Sequence, residues 1–388
     1  MSARLWFHPA TIADYAISAT VRVRRGARGH RHHAGSAEQV IRRCVDACWN
    51  GRTFTASPGH FRQFWTRDLC FSAPSLARLG PRDGDRARAS LAWALGVWER
   101  RRSHITTTIH TFTRPVDVYD YGVDSLPLLL AALASLGADD LVERHRGWIS
   151  DEVGHYADRV IDPAIGLVRA DRTFSAHRDT VTNRCNAYGN SMTALLSRVL
   201  AATGWAPDPL ARWLRDDPSA LLIRHFWRGR YFADAPDDAE ISGEGCIWPF
   251  WTGVVRDPAM LAASLHSLTE TGYTLPYPLR YEAQRQAGKE VLGTRLLAPN
   301  YQGSTSWTSI GAMFLQLQRR SDPAAADVGI AAYRALIERD GTYWEVLDAD
   351  GRCYESPTWV MIGEESMLWS SIFLDLLRHP DGPRPLLS

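Results

Sequence analysis

Lysine is almost missing from this chain. Lys289 is the single one, so arginine carries nearly all of the positive charge. The two signs cancel to a net charge of +1, which removes the electrostatic case for nucleic acid or an anionic membrane as partner. Cys44, Cys48, Cys70, Cys185, Cys246 and Cys353 form no CxxC pair and no metal-type spacing, so they are expected to be reduced thiols acting as small buried hydrophobes. No run of 18 apolar residues and no leader-like segment occurs, and the expectation is a soluble, cytoplasmic protein. A phosphate-cradling GxxxxGK loop, a GxGxxG turn, a GxSxG elbow and an HExxH helix are all missing. Nothing in the sequence asks for a metal or an organic cofactor.

What the chain does contain is helix signal. Apolar residues recur at helical spacing near 37–49, 68–80, 84–102, 124–136, 139–160, 186–204, 207–217, 257–271, 306–320, 323–339 and 360–378, with weaker pieces near 217–228 and 280–289. Gly80-Pro81, Gly137, Gly204 and Pro380 punctuate their ends. Antiparallel helix pairs of about 50 to 60 residues, about six of them, account for the length. The expected architecture is all-α, a closed (α/α)6 toroid of helical hairpins, with an open helical array as the alternative. Residues 36–388 are expected to form one barrel domain. Residues 1–35 read as an N-terminal extension with a short strand at Thr20-Val21-Arg22-Val23 and a solvated, mobile run through His30, His32 and His33.

The connections alternate in length. Short ones, such as 80–85 and 136–140, alternate with long ones rich in aromatics, Gly and Pro: 103–123, 161–185, 229–252, 272–305 and 340–359. Long loops in a compact domain usually carry function, and the alternation places them at one end of a barrel. The 15 Trp and 13 Tyr exceed what a core requires. They lean towards a cleft lined for carbohydrate.

The stretch Phe64-Trp65-Thr66-Arg67-Asp68 puts flat apolar faces beside a guanidinium fork and a carboxylate, a combination suited to sugar hydroxyls. Taken alone, Arg67 and Asp68 are better explained as an ion pair capping the following helix. This stretch resembles the aromatic-x-Arg-Asp segment of the six-hairpin glycosidases, the glucoamylases, trehalases and glycogen-debranching glucosidases. Tyr121-Gly122-Val123-Asp124 is similar to a helix start in those families, and Arg178-Asp179-Thr180 resembles their Trp-Met-Asp-Ala segment. Tyr301-Gln302-Gly303 to Trp307 is similar to their Tyr-His-x-Gly-x-x-Trp, with Gln302 in place of the histidine. Gly341 to Asp348 with Leu368-Trp369-Ser370 is similar to their Gly-x-x-x-Glu-x-x-Asp ending.

The resemblance implies an exo-acting, inverting glycoside hydrolase acting on an α-linked glucoside or short oligosaccharide. Asp179 would be the general acid and Glu345 the general base, with the carboxyls about 6.5–9.5 Å apart to admit a water. The residues themselves suggest the opposite order. Tyr343 and Trp344 would desolvate Glu345 and raise its pKa, while Arg178 would lower that of Asp179. Asp179 could instead cap a turn, and Glu345 could be a solvated strand carboxylate. Asp124 suits an N-cap as well as a ligand contact, Glu244 is the reserve base, and Glu364-Glu365 would open the last helix. Arg67 and Asp68 would hold the terminal sugar, with Trp65, Tyr121, Asp124, Arg178, Trp248, Tyr301 and Trp307 around it. The segment from Tyr273 to Tyr281 could form a lid. Two alternatives stay open: a helical-barrel sugar epimerase using His104, His110, His177 or His225, and a catalytically silent sugar-binding protein. The partner expected is a small carbohydrate, and a homo-oligomer closing the long-loop end is left open.

Overall fold

The computed structural model describes residues 9–110, 113–118, 120–205, 217–380 and 386. The helix at 207–217 falls outside the described residues except for Asp217. In chain order the helices are α1 (Pro9–Arg28), α2 (Ala37–Ala47), α3 (Thr66–Leu79), α4 (Pro81–Arg101), α5 (Ser125–Ser135), α6 (Asp139–Arg144), α7 (Arg146–Val160) and α8 (Ala187–Thr203). They continue with α9 (Pro218–Phe226), α10 (Trp248–Trp251), α11 (Pro258–Glu270), α12 (Leu292–Leu297), α13 (Thr308–Ser321), α14 (Pro323–Asp340) and α15 (Ser370–Arg378).

Two sequence types give two layers. Helix α5 is nearly all Leu, Ala and Pro, and buries Ser125 through Leu133 without a break. Helices α8 and α13 likewise bury most of their faces. A helix buried all round must lie inside other helices. Helices α3, α5, α8, α10, α13 and α15 each pack on the next, and α15 returns to α3, closing an inner ring. Outside it, α4 packs on α3, α6 and α7 on α5, α9 on α8, α11 and α14 on α13, and α2 on α15 and α14. This is the all-α toroid. Three outer helices, α9, α11 and α14, start with the same dipeptide, Asp217-Pro218, Asp257-Pro258 and Asp322-Pro323. Each Asp side chain accepts from a backbone N–H in the first turn while proline occupies the first helical position.

Among the described residues, small strands form only in the loops that precede inner helices. β1 (Phe64–Trp65), β2 (Thr108–His110) and β3 (Arg114–Val116) make an antiparallel sheet in that order. β4 (Ser306–Trp307) pairs antiparallel with β5 (Val346–Leu347), Trp307 opposite Val346.

Four expectations change. Thr20 to Val23 are helical, inside α1; β-branched residues carry only a weak penalty in a helix, and docking of one face overrides it. The histidine run is held against the barrel: His30 Nε2 lies 2.7 Å from the Asp340 carbonyl, and its ring meets Trp344 edge-on. The piece at 280–289 is not helical, because Arg280 bridges Ser306 in extended backbone. The last helix starts at Ser370 and not near 360, since Ile362 bridges Glu355 and Glu365 bridges Trp344. Among the described residues, no helix is long and apolar enough to cross a membrane.

Candidate active site

The N-terminal ends of α3, α13 and α15 meet at one place with the loops that precede α8, α13 and α15. Arg67, Asp68 and Phe71 lie in the first turns of α3, Trp307 immediately precedes α13, and Trp369 immediately precedes α15. His177, Asp179 and Thr180 come from the loop before α8, Tyr301 and Gln302 from that before α13, and Glu345 and Met361 from that before α15. With His60, Phe61, Trp65, Val118, Thr294 and Ala298 these residues line one cleft. Peptide dipoles of three helices therefore converge on a site that carries carboxylates, where their positive ends favour the anions.

Glu345 is fixed by backbone on both sides. Its carbonyl accepts from Thr308 N–H at 3.2 Å, and its N–H donates to the Glu364 carbonyl at 2.8 Å. The Tyr301 hydroxyl donates to Oε1 at 2.5 Å and the Glu364 N–H to Oε2 at 2.8 Å. Burial pushes the Glu345 carboxyl up to about 8, and these two donors pull against it. Asp179 lies with Oδ2 3.7 Å from Arg67 Nη1 and keeps 15% side-chain exposure. Burial pushes it up to about 6, opposed by Arg67 and by the Gln302 amide. Asp68, also in the cleft, is pushed up to about 7 by burial against the pull of Arg67. Tyr301 and Gln302 are consecutive, so one short segment holds the surroundings of both Glu345 and Asp179.

Arg67 is itself held from behind. Its Nε donates to Asp124 Oδ2 at 2.5 Å, and the Tyr188 hydroxyl donates to the same oxygen at 2.5 Å. Asp124 is fully buried and orients Arg67 without lining the cleft. Trp307 donates its indole N–H to the Tyr301 carbonyl at 2.8 Å, and the two rings meet at 76°. Trp369 donates to Thr308 Oγ1 at 2.9 Å.

Of the residues singled out in the sequence, Trp65, Arg67, Asp68, Asp179, Tyr301, Trp307 and Glu345 share the cleft. Asp124, Arg178, Tyr121, Trp248 and the reserve base Glu244 do not line it. Arg178 turns away, pairing with Glu282 Oε1 at 2.5 Å. Tyr121 packs among His104, His155 and Tyr156. Trp248 is fully buried between His177, Tyr188 and Trp251. Glu244 lies behind His177, outside the cleft. Tyr273 and Tyr281, the ends of the expected lid, are buried in the core. Of the four histidines considered as acid or base, His177 alone lines the cleft, and Tyr281 Oη lies 2.8 Å from its Nδ1. Burial, Arg67 and Arg178 keep its pKa well below normal. His60 was not anticipated. Nothing in its setting beside Gly59 distinguishes it from a surface histidine. Among the described residues, no group of three His, Cys, Asp or Glu side chains is placed to hold a metal ion.

No protein-family model matches the chain, and no curated protein matches it significantly. Solved structures do. A wild-type glycosidase superposes with a TM-score of 0.61 at 16% identity, over 91% of this chain and 98% of its own. The fold is the one glycosidases of this shape use. A rhamnosidase from Klebsiella oxytoca with rhamnose bound gives 0.62 at 14% identity, over 89% of this chain and 63% of its own. A mannosylglycerate hydrolase from Thermus thermophilus, in complex with Tris and D-glycerate, gives 0.58 at 14%, over 88% and 100%.

Proposed function

We propose that this protein is a glycoside hydrolase, exo-acting and inverting, that cleaves a short α-linked glucoside or a related small glycoside. Asp179 delivers the proton to the leaving oxygen, and Glu345 activates the attacking water. The observation that carries this reading is that Asp179 and Glu345, 166 residues apart in the numbering, face one cleft walled by Trp65, Trp307, Tyr301 and Trp369. The similarity in fold to hydrolases of glycosides supports it. Hydrolysis with inversion needs one protonated and one ionised carboxyl in one desolvated site. Asp179, raised to about 6, still carries its proton in mildly acidic solution. Glu345 receives an N–H at Oε2, and an N–H can only donate, so that oxygen is set up as an acceptor. Arg67 and Asp68 grip the hydroxyls of the terminal sugar, which makes the substrate's chain end the point of attack.

One observation favours the exchanged assignment. Glu345 has the higher pKa, about 8 against about 6, as a general acid would. We favour the first assignment because the donors to Glu345, the Tyr301 hydroxyl and the Glu364 N–H, are specific and directional.

The test is a panel of α-glucosides, α-rhamnosides and mannosylglycerate with wild type, Asp179→Asn and Glu345→Gln, the product anomer followed by proton NMR. The expected result is an inverted product and a loss of about 10²-fold or more in each variant. On a substrate with a very good leaving group, Asp179→Asn should recover and Glu345→Gln should not. The reverse pattern would exchange the two roles, and retained configuration or no hydrolysis would overturn the proposal.

A further inference from the structure

Helix α1 touches the catalytic machinery through two arginines one turn apart. Arg22 donates to the carbonyls of Ser356 and Met361 at 3.3 and 3.2 Å, and pairs with Glu355 at 2.9 Å. Arg25 is buried, 7% exposed. Its Nη2 lies 2.9 Å from Glu364 Oε1, its Nε 3.5 Å from Glu365 Oε2, and its Nη1 donates to the Gly363 carbonyl. Its guanidinium lies over Trp344, 5.3 Å from the ring centroid. Among the residues it grips is Glu364, which holds Glu345. Glu364 exchanges two backbone contacts with Glu345, one to the peptide and one to the carboxylate. The Glu364 carboxylate also accepts from the His60 N–H at the cleft wall. The fit at this junction is close, because a Cβ on Gly59 would stand 2.5 Å from both Glu364 oxygens.

We propose that Arg25 is a positioning residue for Glu345, acting from α1 through Glu364, so that α1 is a working part of the reaction site. The proposal rests on the assignment of Glu345 as base. Two consequences are electrostatic and geometric. Arg25 neutralises Glu364, whose charge otherwise bears directly on Glu345. It also fixes the 363–365 segment that aims the Glu364 N–H at Glu345 Oε2. The charged and titratable groups facing Glu345 are Tyr301, Glu364, Asp68 and, across the shared neighbourhood, Cys353. Those facing Arg25 are Glu364, Glu365, Cys353 and His60.

Without the guanidinium, Glu364 still accepts from the N–H groups of His60 and Glu365, which keep its carboxylate in place beside Glu345. Its charge then raises the Glu345 pKa. A base works only when ionised, so the low-pH limb of kcat/KM moves to higher pH. The test is the pH profile of Arg25→Gln, of Glu364→Gln and of the double variant, each checked for folding by thermal unfolding. For Arg25→Gln the expected limb lies about one pH unit above wild type, with activity recovering at higher pH, and the double variant returns towards wild type. A uniform loss at every pH that the double variant does not restore would mean Arg25 is only structural, and overturns the proposal. The titration of the Glu345 side-chain carbon, followed by carbon-13 NMR and assigned with Glu345→Gln, needs no substrate. If no glycoside is cleaved, the hydrolase assignment falls, and this titration still decides the Arg25–Glu345 link: an upward shift in Arg25→Gln supports it and an unmoved midpoint overturns it.

Discussion

The Tyr301 hydroxyl donates to Glu345 Oε1 at 2.5 Å, joining the aromatic wall of the cleft to the carboxylate assigned as base. A hydrogen bond to the charged form favours it. Tyr301→Phe removes that donor, so the Glu345 pKa should rise and the low-pH limb of kcat/KM should shift upward. The loss at neutral pH should be roughly tenfold or more, the usual scale of a hydrogen bond to a charged group. A pH profile that superposes on wild type would remove Tyr301 from this role.

Asp124 is expected to act through Arg67. Both are buried, and breaking such a pair strands a charge, at a cost of about 3–5 kcal/mol. Asp124→Asn should lower the urea midpoint and raise KM through a loosened Arg67. A variant of unchanged stability and KM would mean the pair contributes nothing to either.

Glu244 is buried, with neither carboxyl oxygen hydrogen-bonded to protein, and burial pushes it up to about 8 from 4.5. Between these two values the unfolded chain has released a proton that the folded chain keeps. Its contribution is therefore fully present below about pH 4.5 and is lost as pH rises towards 8, at roughly 1 kcal/mol per pH unit. Glu244→Gln cannot lose that proton. Its stability should fall less steeply over this window in urea titrations at pH 5, 6.5 and 8, and parallel slopes for the two proteins would contradict the account.

Arg178 is the basic residue beside Asp179 in sequence, yet its partner is Glu282. Arg178→Met should destabilise by about 3–5 kcal/mol through the stranded Glu282, while KM changes little. A large rise in KM at unchanged stability would restore the direct substrate contact expected from sequence.

The helical layers were legible because their signal is local. Helical spacing and Gly and Pro punctuation are properties of short windows. Residues at helix starts with unusual chemistry, Trp65, Arg67, Asp68 and Trp307, were legible for the same reason. Tyr121 and Trp248 could not be separated from them, since an aromatic has the same character in a core as in a cleft wall. His60 gave no signal, because it reaches the cleft only when Glu364, 304 residues later, accepts from its N–H. Docking of α1 was equally hidden. Its arginines look like solvated charges until the loops at 355–365 supply their partners.

By itself the sequence determined the helical pairs and the crowding of chemistry into the long loops, while the closed toroid and the candidate carboxylates Asp179 and Glu345 were implied by its resemblance to the six-hairpin glycosidases. Periodicity and residue type decide the helices and the loops within a few turns of chain. The tertiary structure alone decided which side chains share a cleft, that Arg178 faces Glu282 while Arg67 faces Asp179, and that Arg25 reaches the support of Glu345. Each of these depends on contacts between segments distant in sequence. There, burial and charge pairing, which no single segment contains, select the partner.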